Sequence, residues 1–197
     1  TRGHTAGTVG DAVPPIKIGT GRIATSIAAT YYATCAVLDT GALKCWGWDS
    51  AGTLGNFTSA MIGDSPAEMG DALISTPIGT TVSSVSGQFS NFCALMWNGT
   101  NSLVKCWGQG SAGENGIGNG GNVGDAAGEV AALTGINLGT GREPVSAIVN
   151  NGVGCALLDN NTVKCWGEGT FLGTSSTFNR GDGAGEMGDS LPALDLG

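Results

Sequence analysis

Charge is scarce in this chain, and histidine scarcer still. Only 12% of the 197 residues are charged, eight basic against sixteen acidic, and the single histidine is His4. One histidine cannot supply a catalytic triad that recurs along the chain. The carboxylates fall on Gly-rich connectors rather than in an apolar pocket that would split their pKa values, and no nucleophile has a visible base. The chain therefore reads as non-enzymatic and calls for no cofactor. A net charge of −8 and an isoelectric point near 4.3 exclude nucleic acid and anionic membrane surfaces as partners. Of the four lysines, Lys44, Lys105 and Lys164 share one recurring position, so no basic patch is left elsewhere. No apolar run reaches the roughly 18 residues of a membrane-spanning helix.

What the chain has in abundance is glycine, thirty-six residues, in a regular frame of Val, Leu, Ile, Cys and Trp. That mixture argues for short strands joined by tight turns and against helices. The frame repeats. CAVLDTGALKCWG at 35–47 returns as CALMWNGTNSLVKCWG at 93–108 and CALLDNNTVKCWG at 155–167. Each Trp-Gly is followed by a Gly-rich stretch, an acidic segment and an apolar segment ending in Leu/Ile-Gly. A period of about 60 residues marks an array of small β-units that must stack on one another to bury a core. The expected division is 20–79, 80–138 and 139–197, with 1–19 as the end of a preceding unit. Residues 1–19 align without a gap on 179–197. A chain with the same phase at both ends is expected to be a segment of something longer.

The cysteines fall into the pairs Cys35–Cys45, Cys93–Cys106 and Cys155–Cys165. Folding the first core about Thr40 sets Cys35 against Cys45 and Val37 against Leu43, with Asp39-Thr40-Gly41 as the turn. The third folds the same way about Asn160. Asp, Asn and Gly suit such loops. Opposed cysteines in an antiparallel pair are within disulfide reach, and each bridge should stabilise its unit by roughly 2–3 kcal/mol. Zinc would want four soft ligands, usually with a Cys-x-x-Cys knuckle, and a redox pair would want a close Cys-x-x-Cys at a helix start. Neither fits as well. Structural disulfides place the protein outside the cell or on its surface. The sequons at Asn56, Asn98 and Asn160 are candidate N-glycosylation sites in keeping with that compartment.

The acidic connectors GDSPAEMGDAL (63–73) and GDGAGEMGDSLPALDLG (181–197) place Asp64, Glu68 and Asp71, and likewise Asp182, Glu186 and Asp189, close in sequence. They read first as turn and cap residues, with Ca²⁺ as the alternative occupant. The middle connector keeps only Asp125 and Glu129. Gly19-Thr-Gly-Arg22 and Gly139-Thr-Gly-Arg142 read as strand-entry turns rather than phosphate loops. Trp46, Trp107 and Trp166 are expected to wedge between units, leaving Trp48 and Trp97, which lie off the repeat, as better candidates for contacts.

The stretches IAATYYATCAVLDTGALKCWGWDSAGTLG (27–55) and IVNNGVGCALLDNNTVKCWG (148–167) resemble the repeat of the RCC1 (regulator of chromosome condensation) family, and the resemblance runs through all three units. The form with two cysteines and an acidic connector is similar to long RCC1-like arrays of secreted or surface proteins. The resemblance implies an all-β propeller of four-stranded blades, commonly seven around an axis. The chain departs from the family where a histidine is usual, with Ala33, Asn91 and Val153 in its place. The turn after Trp-Gly survives as Gly52-Thr-Leu-Gly55, is altered to Gly113-Glu-Asn-Gly116, and is shortened near Phe171-Leu-Gly173. Three units cannot close a seven-bladed ring, so further blades, other copies or an open superhelix must follow. The expected role is an extracellular structural scaffold, as a subunit or segment of a surface filament, held by self-association or by neighbouring repeats. The alternative is a propeller module that binds a protein or glycan.

Overall fold

The computed structural model describes Thr8, residues 10–57 and residues 60–197. His4 lies outside that range, as does Thr58 of the Asn56 sequon. Among the described residues nine strands form three separate antiparallel sheets, each with its strands in chain order. The first holds β1 (Ala24–Ala29), β2 (Ala33–Leu38) and β3 (Leu43–Gly47). The second holds β4 (Thr81–Gln88), β5 (Asn91–Trp97) and β6 (Ser102–Gly108). The third holds β7 (Pro144–Asn150), β8 (Val153–Leu158) and β9 (Val163–Gly167). Among the described residues the one α-helix is a single turn, α1 (Glu129–Ala132).

The second hairpin of each sheet has the register set by its cysteines. Cys35 faces Cys45 and Val37 faces Leu43; Cys155 faces Cys165 and Leu157 faces Val163. All three cysteine pairs are bonded, with Cα atoms 4.1 Å apart. The turns close through the Gly41 amide on the Leu38 carbonyl and the Asn161 amide on the Leu158 carbonyl. Both turn residues have positive φ, 78° and 64°. The residue after the tryptophan has no alternative to glycine. Gly47, Gly108 and Gly167 have φ of 114°, 104° and 106°. A Cβ there would run into the carbonyl oxygen of Tyr32, Ser90 or Gly152 across the ladder.

The sheets have three strands rather than the four implied by the resemblance. The segment after each sheet meets it only at isolated bridges: Ile62 bridges Gly47, Val123 bridges Gly108 and Arg180 bridges Gly167, and in the third repeat Ala193 also bridges Lys164. The next residue is in every case a glycine of positive φ, Gly63 (98°), Gly124 (103°) or Gly181 (96°), which turns the chain out of the ladder after one bridge.

Two cores lie between sheets rather than within them. Cys35, Val37, Leu43 and Cys45 of the first sheet pack on Phe92, Ala94, Met96 and Trp107 of the second. Cys93, Val104 and Cys106 of the second pack on Ala156, Leu158 and Trp166 of the third. Trp107 and Trp166 are wholly buried. Their indole N–H groups donate 2.9 Å hydrogen bonds to carbonyls one repeat earlier, Trp107 to Thr53 and Trp166 to Glu114. Those carbonyls belong to the second residue of Gly52-Thr-Leu-Gly55 and of Gly113-Glu-Asn-Gly116. Trp46 is only half-buried. Replacing Trp107 or Trp166 by alanine removes a large buried side chain and orphans a buried carbonyl, so each should cost about 3–5 kcal/mol. Trp46→Ala should cost clearly less, and chemical denaturation of the three variants checks the order.

Candidate interaction surface

The bonded cysteines of the first two sheets are walls of the inter-sheet cores. Cys35, Cys45, Cys93 and Cys106 are essentially inaccessible, as is Cys165, while Cys155 on the outer face of the third sheet is half-buried. The ends of the sheets differ from one another. The β5–β6 and β8–β9 tips carry the exposed Asn98 and Asn160. Their side-chain oxygens accept bonds from the following turn, Asn98 from the Thr100 and Asn101 amides at 2.9 Å each, and Asn160 from the Thr162 amide and hydroxyl at 3.2 and 2.8 Å. Asn56 sits instead on the Gly-rich connector after β3, half-buried. Trp97 lies at the same end of the sheet as Asn98, paired with Ser102.

The opposite end gathers aromatic rings. Tyr31 and Tyr32 form the β1–β2 turn, Phe89 stands in the β4–β5 turn, and Trp48 follows β3. The Tyr31 amide donates to the Phe89 carbonyl at 3.1 Å, and the Trp48 amide to the Tyr32 carbonyl at 2.9 Å. The first bond ties the turns of adjacent repeats to each other, and the second holds the residue after β3 to the β1–β2 turn of the same repeat. Ring centroids lie 4.6 Å apart for Tyr31–Phe89, 4.9 Å for Tyr32–Trp48 and 6.1 Å for Tyr31–Tyr32. Yet all four rings remain open to solvent, Tyr31 at 65% and Trp48 at 46%. Contiguous apolar surface of this kind is what interaction sites are made of, and it makes this rim the candidate. The structure thus separates the two off-pattern tryptophans, with Trp48 in the cluster and Trp97 at the far end. The tyrosine pair was legible in the sequence only as two adjacent aromatic residues, because Phe89 comes from the next repeat and Trp48 meets Tyr32 only across the folded sheet.

The acidic connectors are built as backbone clamps. Glu68 accepts from the Gly63 and Ser65 amides at 2.8 and 3.3 Å. Glu129 takes the Gly124 and Ala126 amides, and Glu186 the Gly181 and Gly183 amides, at 2.8–3.0 Å. Asp71 accepts from the Thr20 amide and hydroxyl at 2.7 and 2.6 Å, and Asp189 from those of Thr140 at 2.8 and 2.7 Å. Asp64 is exposed beside Trp46 and Met69, and Asp182 accepts from the Asn179 side chain. Glu and Asp of one connector thus face different partners, and among the described residues no three carboxylate, histidine or cysteine side chains gather as a metal would need. The Gly63 and Ser65 amides hold Glu68 below the usual carboxylate range, and the Thr20 and Thr140 hydroxyls and amides do the same for Asp71 and Asp189. A depressed folded-state pKa contributes stability that is present above the ordinary range and is lost as pH falls through the lowered value. Acid unfolding should therefore set in as pH drops below the ordinary carboxylate range. Asp71→Asn together with Asp189→Asn should flatten that dependence in thermal melts from neutral to acid pH.

Comparison with known proteins follows this geometry. A family model described as the regulator of chromosome condensation (RCC1) repeat matches residues 24–53. No curated protein sequence matches the chain. Among solved structures, human WBSCR16 superposes with a TM-score of 0.62 at 14% identity, over 90% of this chain and 42% of that one. Yeast RCC1 (Prp20), solved bound to Kap60, superposes with a TM-score of 0.56 at 14% identity, over 90% of this chain and 36% of that one. A structure of Prp20p from Saccharomyces cerevisiae, reported with its binding to Gsp1p and histones, gives 0.54 at 16% identity, over 81% and 36%. This chain therefore spans about two-fifths of the length of the structures it matches. Residues 24–53 thus match the RCC1 repeat, and the three sheets, each carrying a disulfide, have the fold of blades of an RCC1-type β-propeller.

Proposed function

We propose that this chain is a non-enzymatic, extracellular protein-binding module whose partner docks on the rim formed by Tyr31, Tyr32, Trp48 and Phe89. The observation that carries the reading is that cluster: four solvent-facing rings from two repeats, fixed in place by backbone bonds between their turns. Rigid aromatic side chains supply large contact area at little entropic cost, and Tyr and Trp are enriched among the residues that dominate binding energy. Similar structures include a yeast protein solved with a protein bound to it. That supports a protein partner over a glycan. We take 20–79, 80–138 and 139–197 as the repeating units of the module, with Asn98 and Asn160 available for glycans at the end away from the rim.

The rim is tested by immobilising the chain and a Tyr31→Ser, Tyr32→Ser, Trp48→Ser variant against extracellular protein from the source. A protein held by the first and lost by the second supports the reading. Binding only to arrayed glycans would transfer the site to sugars, and capture of a second copy of the chain would replace the reading with the filament one. The compartment rests on the three bonded cysteine pairs. Non-reducing peptide mapping of the native protein should show Cys35–Cys45, Cys93–Cys106 and Cys155–Cys165, and free thiols there would overturn the placement outside the cell.

A further inference from the structure

In the first and third repeats a threonine, a lysine and an aspartate meet where the connector enters the sheet. Asp71 takes both the amide and the hydroxyl of Thr20, and Asp189 those of Thr140. The lysine of the same sheet lies alongside. Lys44 Nζ donates to the Gly70 carbonyl at 2.9 Å and Lys164 Nζ to the Gly188 carbonyl at 2.8 Å, each the carbonyl just before the aspartate. The lysine charge contributes to the lowered pKa of that aspartate in both repeats.

The middle repeat keeps the threonine and the lysine and has lost the aspartate. Where the others run Glu68-Met-Gly-Asp-Ala-Leu73 and Glu186-Met-Gly-Asp-Ser-Leu191, it runs Glu129-Val-Ala-Ala-Leu133, one residue shorter. Those residues coil into helix α1. The Lys105 amine turns to the Ile78 carbonyl at 2.8 Å, and the Thr80 hydroxyl falls back on the Met96 sulfur at 3.7 Å. Among the described residues no carboxylate forms a direct ion pair with Lys44, Lys105 or Lys164, but Lys44 and Lys164 have an aspartate charge near enough to act on and Lys105 has none. The residue is nonetheless only 5% exposed, and burial lowers its pKa from the ordinary lysine value. An ammonium group has three donor hydrogens, and a buried cation without a counter-charge is costly. A cavity of about 170 Å³, bounded by Asn115, Ile117, Ala132 and Gly135, opens on one side of Lys105, while Thr80 stands with Ile78 and Gly79 on a different, open groove. Ala132 stands at the position of the missing aspartate.

We propose that the middle repeat binds a carboxylate from outside the chain at Lys105, beside Thr80, in the place that Asp71 and Asp189 fill in the flanking repeats. The internal carboxylates define the chemistry: a single –COO⁻ accepting from the threonine amide and hydroxyl, with the lysine charge close by. Asp71 and Asp189 are exposed in the flanking repeats, so the corresponding place in the middle repeat admits a small acid or the tip of an acidic side chain from solvent. The site stands apart from the aromatic rim and does not depend on it.

Acetate and succinate are the probes, titrated into the intact ¹⁵N-labelled chain at constant ionic strength set with chloride. The expected result is a saturable shift of the Thr80 amide and of the Lys105 side-chain signals, while the Thr20 and Thr140 amides, already occupied, stay in place. A blocked peptide with one glutamate, against its glutamine twin, separates a peptide source from a free acid. A variant that restores the connector (Ala131→Gly, Ala132→Asp and one alanine inserted before Leu133) should abolish the shift, as should Lys105→Met. The rim variant should retain it. Absence of a saturable shift in the parent chain, or a shift that survives restoration of the connector, overturns the proposal.

Discussion

The indole N–H of each buried tryptophan reaches back to a carbonyl of the preceding repeat, and much of the architecture follows from that one bond. To make it, the tryptophan must be driven fully into the gap between sheets, which is why Trp107 stacks on Phe92 at 5.8 Å and why neither indole retains any exposure. The accepting carbonyls of Thr53 and Glu114 must be aimed into that gap, so the turn that carries them closes on itself, Gly55 on Gly52 and Gly116 on Gly113. The chain must then leave the sheet at once, which the following glycine permits. The disulfide next to each tryptophan fixes the hairpin from which it projects. Cohesion therefore lies between repeats, and a single repeat would leave its tryptophan and its turn without partners.

The parts that were legible in the sequence are those settled by neighbours within one repeat. Cys35 opposite Cys45, Val37 opposite Leu43 and the turn between them followed from symmetry about Thr40, because an antiparallel hairpin pairs residues at equal distance from its turn. The wedge role of Trp107 and Trp166 followed from their recurring place beside the cysteines. The aromatic rim was not legible, since Tyr31 meets Phe89 only once the sheets have packed. The fourth strand of each blade was expected from likeness and reduces here to isolated bridges. The glycine after Ile62, Val123 and Arg180 lets the chain depart, and nothing in a repeat count reveals where a ladder stops.

The acidic balance has a local explanation as well. Glu68, Glu129 and Glu186 each collect two backbone amides in a loop with few other acceptors, and Asp71 and Asp189 close the entry to their sheets through threonine. These carboxylates are surface-lying substitutes for secondary structure. They give Gly-rich connectors a defined path where no ladder or helix supplies one. The excess of negative charge in the sequence is in good part the charge of these clamps, so it says more about how the connectors are held than about what the protein binds.

Repetition within one chain also supplies its own control. Where three repeats agree, as at the buried lysine donating to a backbone carbonyl, the residue has a common structural task, and its recurrence needs no ligand to explain it. Where one repeat departs while its neighbours hold, the departure removes a partner from groups that have otherwise stayed the same. Lys105 and Thr80 are in that position. A lysine whose task was wholly met by a carbonyl would tolerate loss of the aspartate without consequence, but the middle connector has also shortened, coiled and opened a cavity at that point. Loss of the aspartate leaves the buried Lys105 with its carbonyl partner and no aspartate charge beside it, which is the role a replacement counter-ion would fill.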